Sequence, residues 1–123
     1  RTSFDDCDLV PRVLAGVVEI DMRTTLFGRE LAMPLFLSPT ALQRLFHWQG
    51  ERAVLRAAAD AGTVAGISSL ATISLAEAGA LTAGPKLFQL YVHKDEGLNQ
   101  AMLEAARAAK FDAVALTVDT IVG

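Results

Sequence analysis

The stretch "KLFQLYV", residues 86–92, has the composition of a buried strand that two polar side chains interrupt. Because strand side chains alternate between two faces, Gln89 and Tyr91 share one face with Leu87. A buried amide without hydrogen-bond partners costs about 1–3 kcal/mol. We therefore expect a partner for Gln89 near the C-terminal end of this strand.

Three further apolar runs of the same kind flank this stretch. The four runs are "LFLS" from Leu35, "TVAGIS" from Thr63, "LFQLYV" from Leu87 and "AVALTVD" from Ala113. Helical patterns occupy the gaps: residues 51–61 before Gly62, a short capped segment from Ser74, and residues 98–109. Alternation of strand and helix with short links is typical of a parallel sheet covered by helices.

The segment ahead of the first run differs from the repeat. "EIDMRTTLFGRELAM", residues 19–33, predicts two short extended pieces that turn around Gly28. We interpret the chain as one partial domain over residues 1–123, with a cap or lead-in segment at 1–33 and a half-barrel at 34–123.

Two α/β architectures share this pattern, a doubly wound open sheet and a closed (β/α)8 TIM barrel. The first run leads into "SPTALQ", without the G-x-G-x-x-G of dinucleotide-binding open sheets, although flavodoxin-like sheets also lack that motif. Each of the four runs ends in polar residues, as expected where a barrel builds its site at the C-terminal ends of its strands. We therefore predict a barrel, here with its cap segment and strands one to four.

Composition limits the classes of partner. The formal charge is −3 over 123 residues and no basic cluster occurs, so nucleic acid is not an expected partner. Cys7 is the only cysteine, which excludes an internal disulfide or a zinc site of several cysteines, and no metal is predicted. No signal peptide or long apolar stretch is visible.

The expected location is the cytoplasm, with peripheral membrane association as the alternative.

Four motifs together resemble a known family. "SPTALQ", "GISSLAT", "FQLYVHKD" and "ALTVDT" occur in the order and at the spacings of the FMN-dependent α-hydroxy acid dehydrogenase/oxidase family, which includes glycolate oxidase, flavin-dependent L-lactate dehydrogenases and mandelate dehydrogenase. The resemblance implies a (β/α)8 barrel with FMN at its C-terminal mouth. It also implies oxidation of an L-2-hydroxy acid, such as L-lactate, to the 2-oxo acid by hydride transfer to flavin N5.

The resemblance implies a role for seven residues. Tyr91 matches the active-site tyrosine that lies over the flavin, near the carboxylate and hydroxyl of the substrate. One loop passes beside the flavin with a backbone N–H near its N5, and three side chains hydrogen-bond the pyrimidine edge of the ring. The implied loop residues are Pro39, Thr40 and Ala41, and the implied pyrimidine partners are Ser68, Gln89 and Thr117.

Other polar residues are expected in lesser roles. Asp119 is predicted to accept hydrogen bonds from loop N–H groups. His47 is expected in a segment where Phe46 and Trp48 pack near a helix start, and His93 is expected to point to solvent. Neither histidine matches the family's catalytic base. Leu70 stands where some members carry tryptophan, which suggests a substrate side chain larger than that of glycolate.

The resemblance also implies parts that lie outside this sequence. A histidine base, two carboxylate-binding arginines and a lysine near flavin N1 would follow "ALTVDT", and another tyrosine would precede Arg1. We therefore expect the N-terminal half of the barrel of a longer enzyme, inactive alone. The alternative is a non-catalytic half-barrel that binds a flavin or a partner. The complete enzyme is expected to be a homo-oligomer that takes a small 2-hydroxy acid, with oxygen, quinone or a cytochrome as electron acceptor.

Overall fold

The computed structural model describes residues 5–119, in which four parallel strands follow one another in chain order after a short hairpin. The order and direction predicted for the four apolar runs are confirmed. The elements are β1 (Thr24–Leu26), β2 (Arg29–Leu31), β3 (Phe36–Leu37), a 3-10 turn (Gln43–Leu45), α1 (Glu51–Asp60), β4 (Val64–Ser68), α2 (Leu75–Leu81), β5 (Lys86–Tyr91), α3 (Glu96–Ala108) and β6 (Ala113–Thr117).

The three helices cover a single face of the sheet. Ile67 of β4 lies beside Phe88 of β5 and packs against Leu55 of α1, while Phe88 packs against Ala106 of α3. The opposite face carries Val64 and the other alternate residues of the strands. A doubly wound sheet has helices on both faces, so within residues 5–119 the arrangement is that of a barrel wall.

The hairpin of β1 and β2 closes the N-terminal end of this inner face. Phe27 and Gly28 form its two-residue turn with φ of 53° and 71°, the left-handed conformation that matches the twist of paired strands. Leu31, only 2% exposed, packs against Val64 and Leu87, near the starts of β4 and β5. The predicted turn around Gly28 is confirmed, and the hairpin acts as an apolar plug.

Charged side chains also connect the hairpin to the N-terminal end of the sheet, outside the apolar contacts of Leu31. Arg29 of β2 lies 3.4 Å from Asp112, and the second carboxylate oxygen of Asp112 accepts from the backbone N–H of Lys86 at 2.8 Å. The buried Lys86 ammonium donates to the carbonyls of Thr82 and Gly84, each at 2.8 Å. Burial lowers the pKa of Lys86, an effect that the nearby Asp112 carboxylate opposes. We call Arg29, Lys86 and Asp112 the charged clip.

The predicted helix boundaries agree with local chemistry. Gly62 follows α1 with φ of 65°, so it ends that helix as predicted. The Ser74 hydroxyl accepts from the Glu77 N–H at 3.1 Å and caps α2. The Glu77 carboxylate does not return to the cap but accepts from Arg52 of α1 at 2.5 Å, which ties the two helices together.

Two expectations about exposure and length differ from the structure. Phe46 and Trp48 are 82% and 74% exposed, so the predicted packing of these aromatic side chains is wrong within residues 5–119. The run from Leu35 forms only two residues of strand, because Pro39 offers no N–H for the ladder and the chain turns away at Ser38.

Candidate functional site

A row of three polar side chains crosses the C-terminal end of the sheet. The Ser68 hydroxyl donates to Gln89 Oε1 at 2.8 Å, and Gln89 Nε2 donates to Thr117 Oγ1 at 2.8 Å. Ser68 and Gln89 are 2% and 4% exposed. The buried amide therefore has a hydrogen-bond partner on each side, as expected. We call Ser68, Gln89 and Thr117 the polar row.

Strand register explains why these three residues meet. Ser68 of β4 stands beside Gln89 of β5, and Tyr91 of β5 stands beside Thr117 of β6. All four project from the inner face, away from the helices. Ser68 Oγ also accepts from the backbone N–H of Leu70 at 3.1 Å, so the loop after β4 is anchored to the row.

Tyr91 stands two residues beyond Gln89 at the wall of a cavity of about 560 Å³. Its backbone N–H donates to Ser69 Oγ at 3.3 Å, while its ring is half-buried. His93 also lines this cavity and is half-buried, and the expectation that it points to solvent stays a prediction. The lining residues are Leu70, Tyr91, Val92, His93, Leu116, Thr117 and Val118.

The loop Pro39–Ala41 crosses the inner face beside β4 because residue 66 is glycine. A Cβ at Gly66 would lie 2.7 Å from Pro39 N and 2.8 Å from Pro39 Cδ. The Thr40 hydroxyl lies 3.5 Å from the Ser38 carbonyl and makes no bond to the polar row within the described residues. Among those residues the Ala41 N–H has no acceptor, which leaves this donor available to a ligand.

Glu51 is a residue of this region that the sequence did not reveal. It begins α1, is 0% exposed and accepts hydrogen bonds from Thr72 and Gln43. Burial alone would raise the pKa of this carboxyl, but the hydrogen bonds outweigh burial and lower the pKa below its ordinary value. An acidic residue after Gly50 is an ordinary helix start, and its partners lie 8 and 21 residues away in other loops, so no local pattern marked it.

The remaining candidates stay apart from the polar row. His47 is exposed, and within the described part of the chain its ring accepts only a local bond from the Gln49 N–H at 3.3 Å. Asp119 is exposed, and its predicted role as a loop acceptor stays a prediction because the following residues lie outside the described range. Cys7 is exposed. Over residues 5–119, no cluster of three metal-ligating side chains occurs and no helix is long and apolar enough to cross a membrane.

The polar row has hydrogen-bonding capacity left for a ligand. In the observed arrangement the Thr117 hydroxyl proton and the second N–H of Gln89 are not used within the row. The pyrimidine edge of a flavin alternates carbonyl acceptors with an N–H donor, and an amide beside hydroxyl groups can pair with both kinds of atom. These residues fit the ring of FMN.

Comparison with curated proteins shows strong similarity over part of longer chains. Residues 1–123 match the profile of the family described as FMN-dependent dehydrogenase. Glycolate oxidase of Spinacia oleracea is 43% identical over 120 residues, which are 98% of this chain and 32% of that protein. Glycolate oxidase 1 of Zea mays is 44% identical with the same coverage. The chain thus spans about a third of the length of these relatives.

Solved structures show the same relation. A protein of Pediococcus acidilactici described as a lactate oxidase superposes with a TM-score of 0.92 at 35% identity, over 98% of this chain and 34% of that one. A mandelate oxidase variant with a monooxide FMN adduct gives 0.90 at 38% identity, over 98% and 38%. The predicted barrel, family and cofactor class are confirmed. The chain forms part of a (β/α)8 barrel and belongs to the FMN-dependent dehydrogenase family.

Proposed function

We propose that the protein carrying this segment oxidises an L-2-hydroxy acid to the 2-oxo acid, with hydride transfer from the α-carbon to FMN. The polar row carries this proposal, because three hydrogen-bonding side chains on an otherwise apolar inner face have the chemistry of a flavin ring edge. Bound FMN would supply the hydride acceptor. The segment would supply binding, orientation and polar contacts.

Ser68, Gln89 and Thr117 would bind the pyrimidine edge and favour its electron-rich reduced form. Donors placed there stabilise the negative charge that the ring gains on reduction, so these residues would tune the cofactor as well as hold it. Pro39, Thr40 and Ala41 would line the flavin ring, and the Ala41 N–H, which has no acceptor among residues 5–119, supports a contact near N5. Their binding roles rest on the resemblance and on this geometry together.

Tyr91 would orient the substrate from the adjacent position on the same face. It shares the inner face with Gln89 and stands beside Thr117 in the strand register, so its hydroxyl would contact a carboxylate or hydroxyl group held next to the polar row. Leu70 lines the same cavity as Tyr91 and is 45% exposed, which leaves room for a substrate side chain beyond that of glycolate. L-Lactate stays a prediction, because the relatives include glycolate, lactate and mandelate oxidases.

The electron acceptor is proposed to be oxygen, with quinone and cytochrome as alternatives. The relatives that match this chain are named oxidases, which favours oxygen. Homo-oligomerisation of the complete enzyme and its cytoplasmic location stay predictions.

A pair of substitutions in the full-length protein tests the proposal. Tyr91→Phe should retain FMN and lower turnover, because it removes only the hydroxyl assigned to the substrate. Gln89→Leu should weaken FMN retention or shift its reduction potential, because the pyrimidine edge loses its amide partner. Steady-state kinetics with 2-hydroxy acids and flavin absorbance after gel filtration measure both. Turnover and substrate affinity in Tyr91→Phe equal to those of the parent would refute the role given to Tyr91.

A further inference from the structure

The buried carboxylate of Glu51 joins two loops that are separate in sequence. Its Oε1 accepts from the Thr72 N–H at 2.9 Å and from the Gln43 N–H at 3.3 Å, and its Oε2 accepts from the Thr72 hydroxyl. Gln43 lies in the connection that follows β3, and Thr72 lies in the connection that follows β4. One side chain at the start of α1 therefore holds both connections.

Both connections lead directly to residues assigned to the flavin. Gln43 Nε2 donates to the Thr40 carbonyl at 3.2 Å, so the bond from Glu51 to Gln43 extends to the loop Pro39–Ala41. The second connection runs from Ser68 to Thr72, and its Leu70 carbonyl accepts from the Leu42 N–H at 3.0 Å. Glu51 is therefore connected through Gln43 to the loop Pro39–Ala41. Through Thr72 it is connected to the loop that begins at Ser68 of the polar row.

Backbone strain marks the same place. Leu42 has φ of 52° and ψ of 39°, a left-handed conformation that residues other than glycine adopt rarely. Such conformations persist where surrounding contacts over-determine them, and they cluster at functional sites. The peptide groups on the two sides of Leu42 are held by the Leu70 carbonyl and by Glu51. Without the carboxylate, one of these two restraints is lost.

We propose that Glu51 is a positioning residue for the flavin site, and that it holds the loop Pro39–Ala41 and the loop after β4 in the geometry that receives the ring. Glu51 does not touch the reacting atoms, and it acts through Gln43 and Thr72. The inference rests on the proposed function for its effect on FMN. Its effect on the two loops can be measured without flavin.

The first measurement is amide hydrogen exchange of the flavin-free, full-length protein. In Glu51→Ala, the segments at 39–43 and 70–72 should exchange faster than in the parent, because the Gln43 and Thr72 N–H groups lose their acceptor. Leu55→Ala is the matched control, because Leu55 is a fully buried residue of the same helix whose side chain can accept no hydrogen bond from either loop. It should lower the thermal midpoint without a selective effect on these two segments. Equal exchange of both segments in Glu51→Ala and the parent would overturn the proposal.

The second measurement is FMN affinity and turnover of the reconstituted protein. Glu51→Ala should weaken FMN binding and lower kcat by about 10- to 100-fold, the scale expected when a site is misplaced by about 1 Å. Glu51→Gln should recover most of both, because the amide oxygen can accept the same two N–H groups and the Thr72 hydroxyl can accept from the amide. Thr72→Val removes only the hydroxyl bond and should give a milder shift in the same direction.

The outcomes separate the two proposals. A parent that binds no FMN would refute the proposed function. Faster loop exchange in Glu51→Ala would then still support the role of Glu51 in holding the two loops. Glu51→Gln as impaired as Glu51→Ala would overturn the positioning role, because it would show that the charge matters and not the hydrogen-bonding geometry. If Glu51→Ala does not fold, Thr72→Val decides the question. The proposal then requires faster amide exchange of the two loops in Thr72→Val than in the parent, and equal exchange would overturn it.

Discussion

The two ends of the sheet are held by different kinds of contact. At the N-terminal end, Leu31 packs against Val64 and Leu87, and the charged clip closes the outside. At the C-terminal end the strands are joined by hydrogen bonds along the polar row. The same strands therefore change from apolar to polar contacts along their length, within a few residues.

The difference follows from what each kind of contact does. Apolar burial contributes about 25 cal/mol for each Å² removed from water and has little directional preference. A typical hydrogen bond contributes a net of about 0.5–1.5 kcal/mol but fixes distance and direction. The plug end suits stability, and the polar end suits orientation of a ligand, which is the division that barrel enzymes show.

The largest expected effect is the loss of turnover when residues 1–123 are produced alone. The polar row would be present, but a general base must lie within hydrogen-bond reach of its proton, and neither His47 nor His93 matches the family's base. In addition, β3 and β6 each pair on one side only within the described residues, and such edges pair with other chains. We expect no oxidation of L-lactate and a self-associating or loosely packed protein.

Anaerobic flavin bleaching checks this expectation. FMN and L-lactate are added to the purified segment with a dye acceptor, and the full-length protein serves as control. Stoichiometric bleaching would mean that the working site lies within these strands, against the prediction. Tight FMN binding without bleaching would instead support a flavin-binding module.

The next effect in size compares one residue from each end. Leu31→Ala should lower the free energy of unfolding by about 2–5 kcal/mol, because a fully buried leucine leaves a cavity. The bound flavin of that variant should keep the parent spectrum. Gln89→Leu should cost about 1–3 kcal/mol through the unpaired hydroxyls of Ser68 and Thr117, and it should alter the flavin. Urea unfolding measures the free energy of unfolding, and visible absorbance measures the flavin spectrum. A changed flavin spectrum in Leu31→Ala, with an unchanged spectrum in Gln89→Leu, would contradict the assignment of stability to one end and flavin binding to the other.

The smallest effect concerns Lys86 in the charged clip. Its folded-state pKa is lowered from 10.5 by burial, so between that lowered value and 10.5 the unfolded chain binds more protons. Stability contributed by this group therefore rises with pH across that window. The stability of the parent relative to Lys86→Met should increase as the pH is raised from neutral toward 10.5. Urea unfolding at a series of pH values tests this, and a difference independent of pH would contradict it.

Much of the fold was predictable because the strands and helices carry their own local signals. The apolar runs around Ile67 and Phe88 alternate with helices whose ends bear Gly62 and Ser74, so their order needed no long-range information. The exposure of Phe46 and Trp48 was not predictable from local composition, because apolar side chains pack only where another element covers them. The outer face of β6, with Val114 and Leu116 about half exposed, shows the same dependence.

The site was predictable where a residue broke a pattern. Gln89 interrupts an apolar run, and its hydrogen bonds to Ser68 and Thr117 connect residues that strand parity already placed together. Glu51 breaks no pattern, because a carboxylate at a helix start is common. Its importance arises from Gln43 and Thr72, which only the folded chain brings to it.

Gly66 shows how a residue without chemistry can look catalytic in a mutational scan. Any side chain at this position would meet the backbone of Pro39 within 2.7 Å, so every substitution must displace the loop or bend the strand. If variants are scored by turnover alone, substitutions at residue 66 would be as impaired as substitutions of Tyr91, although glycine has no side chain that could contact the substrate. Tolerance at residue 66 therefore reports the clearance between two backbones, and libraries intended to change substrate preference should leave this position fixed.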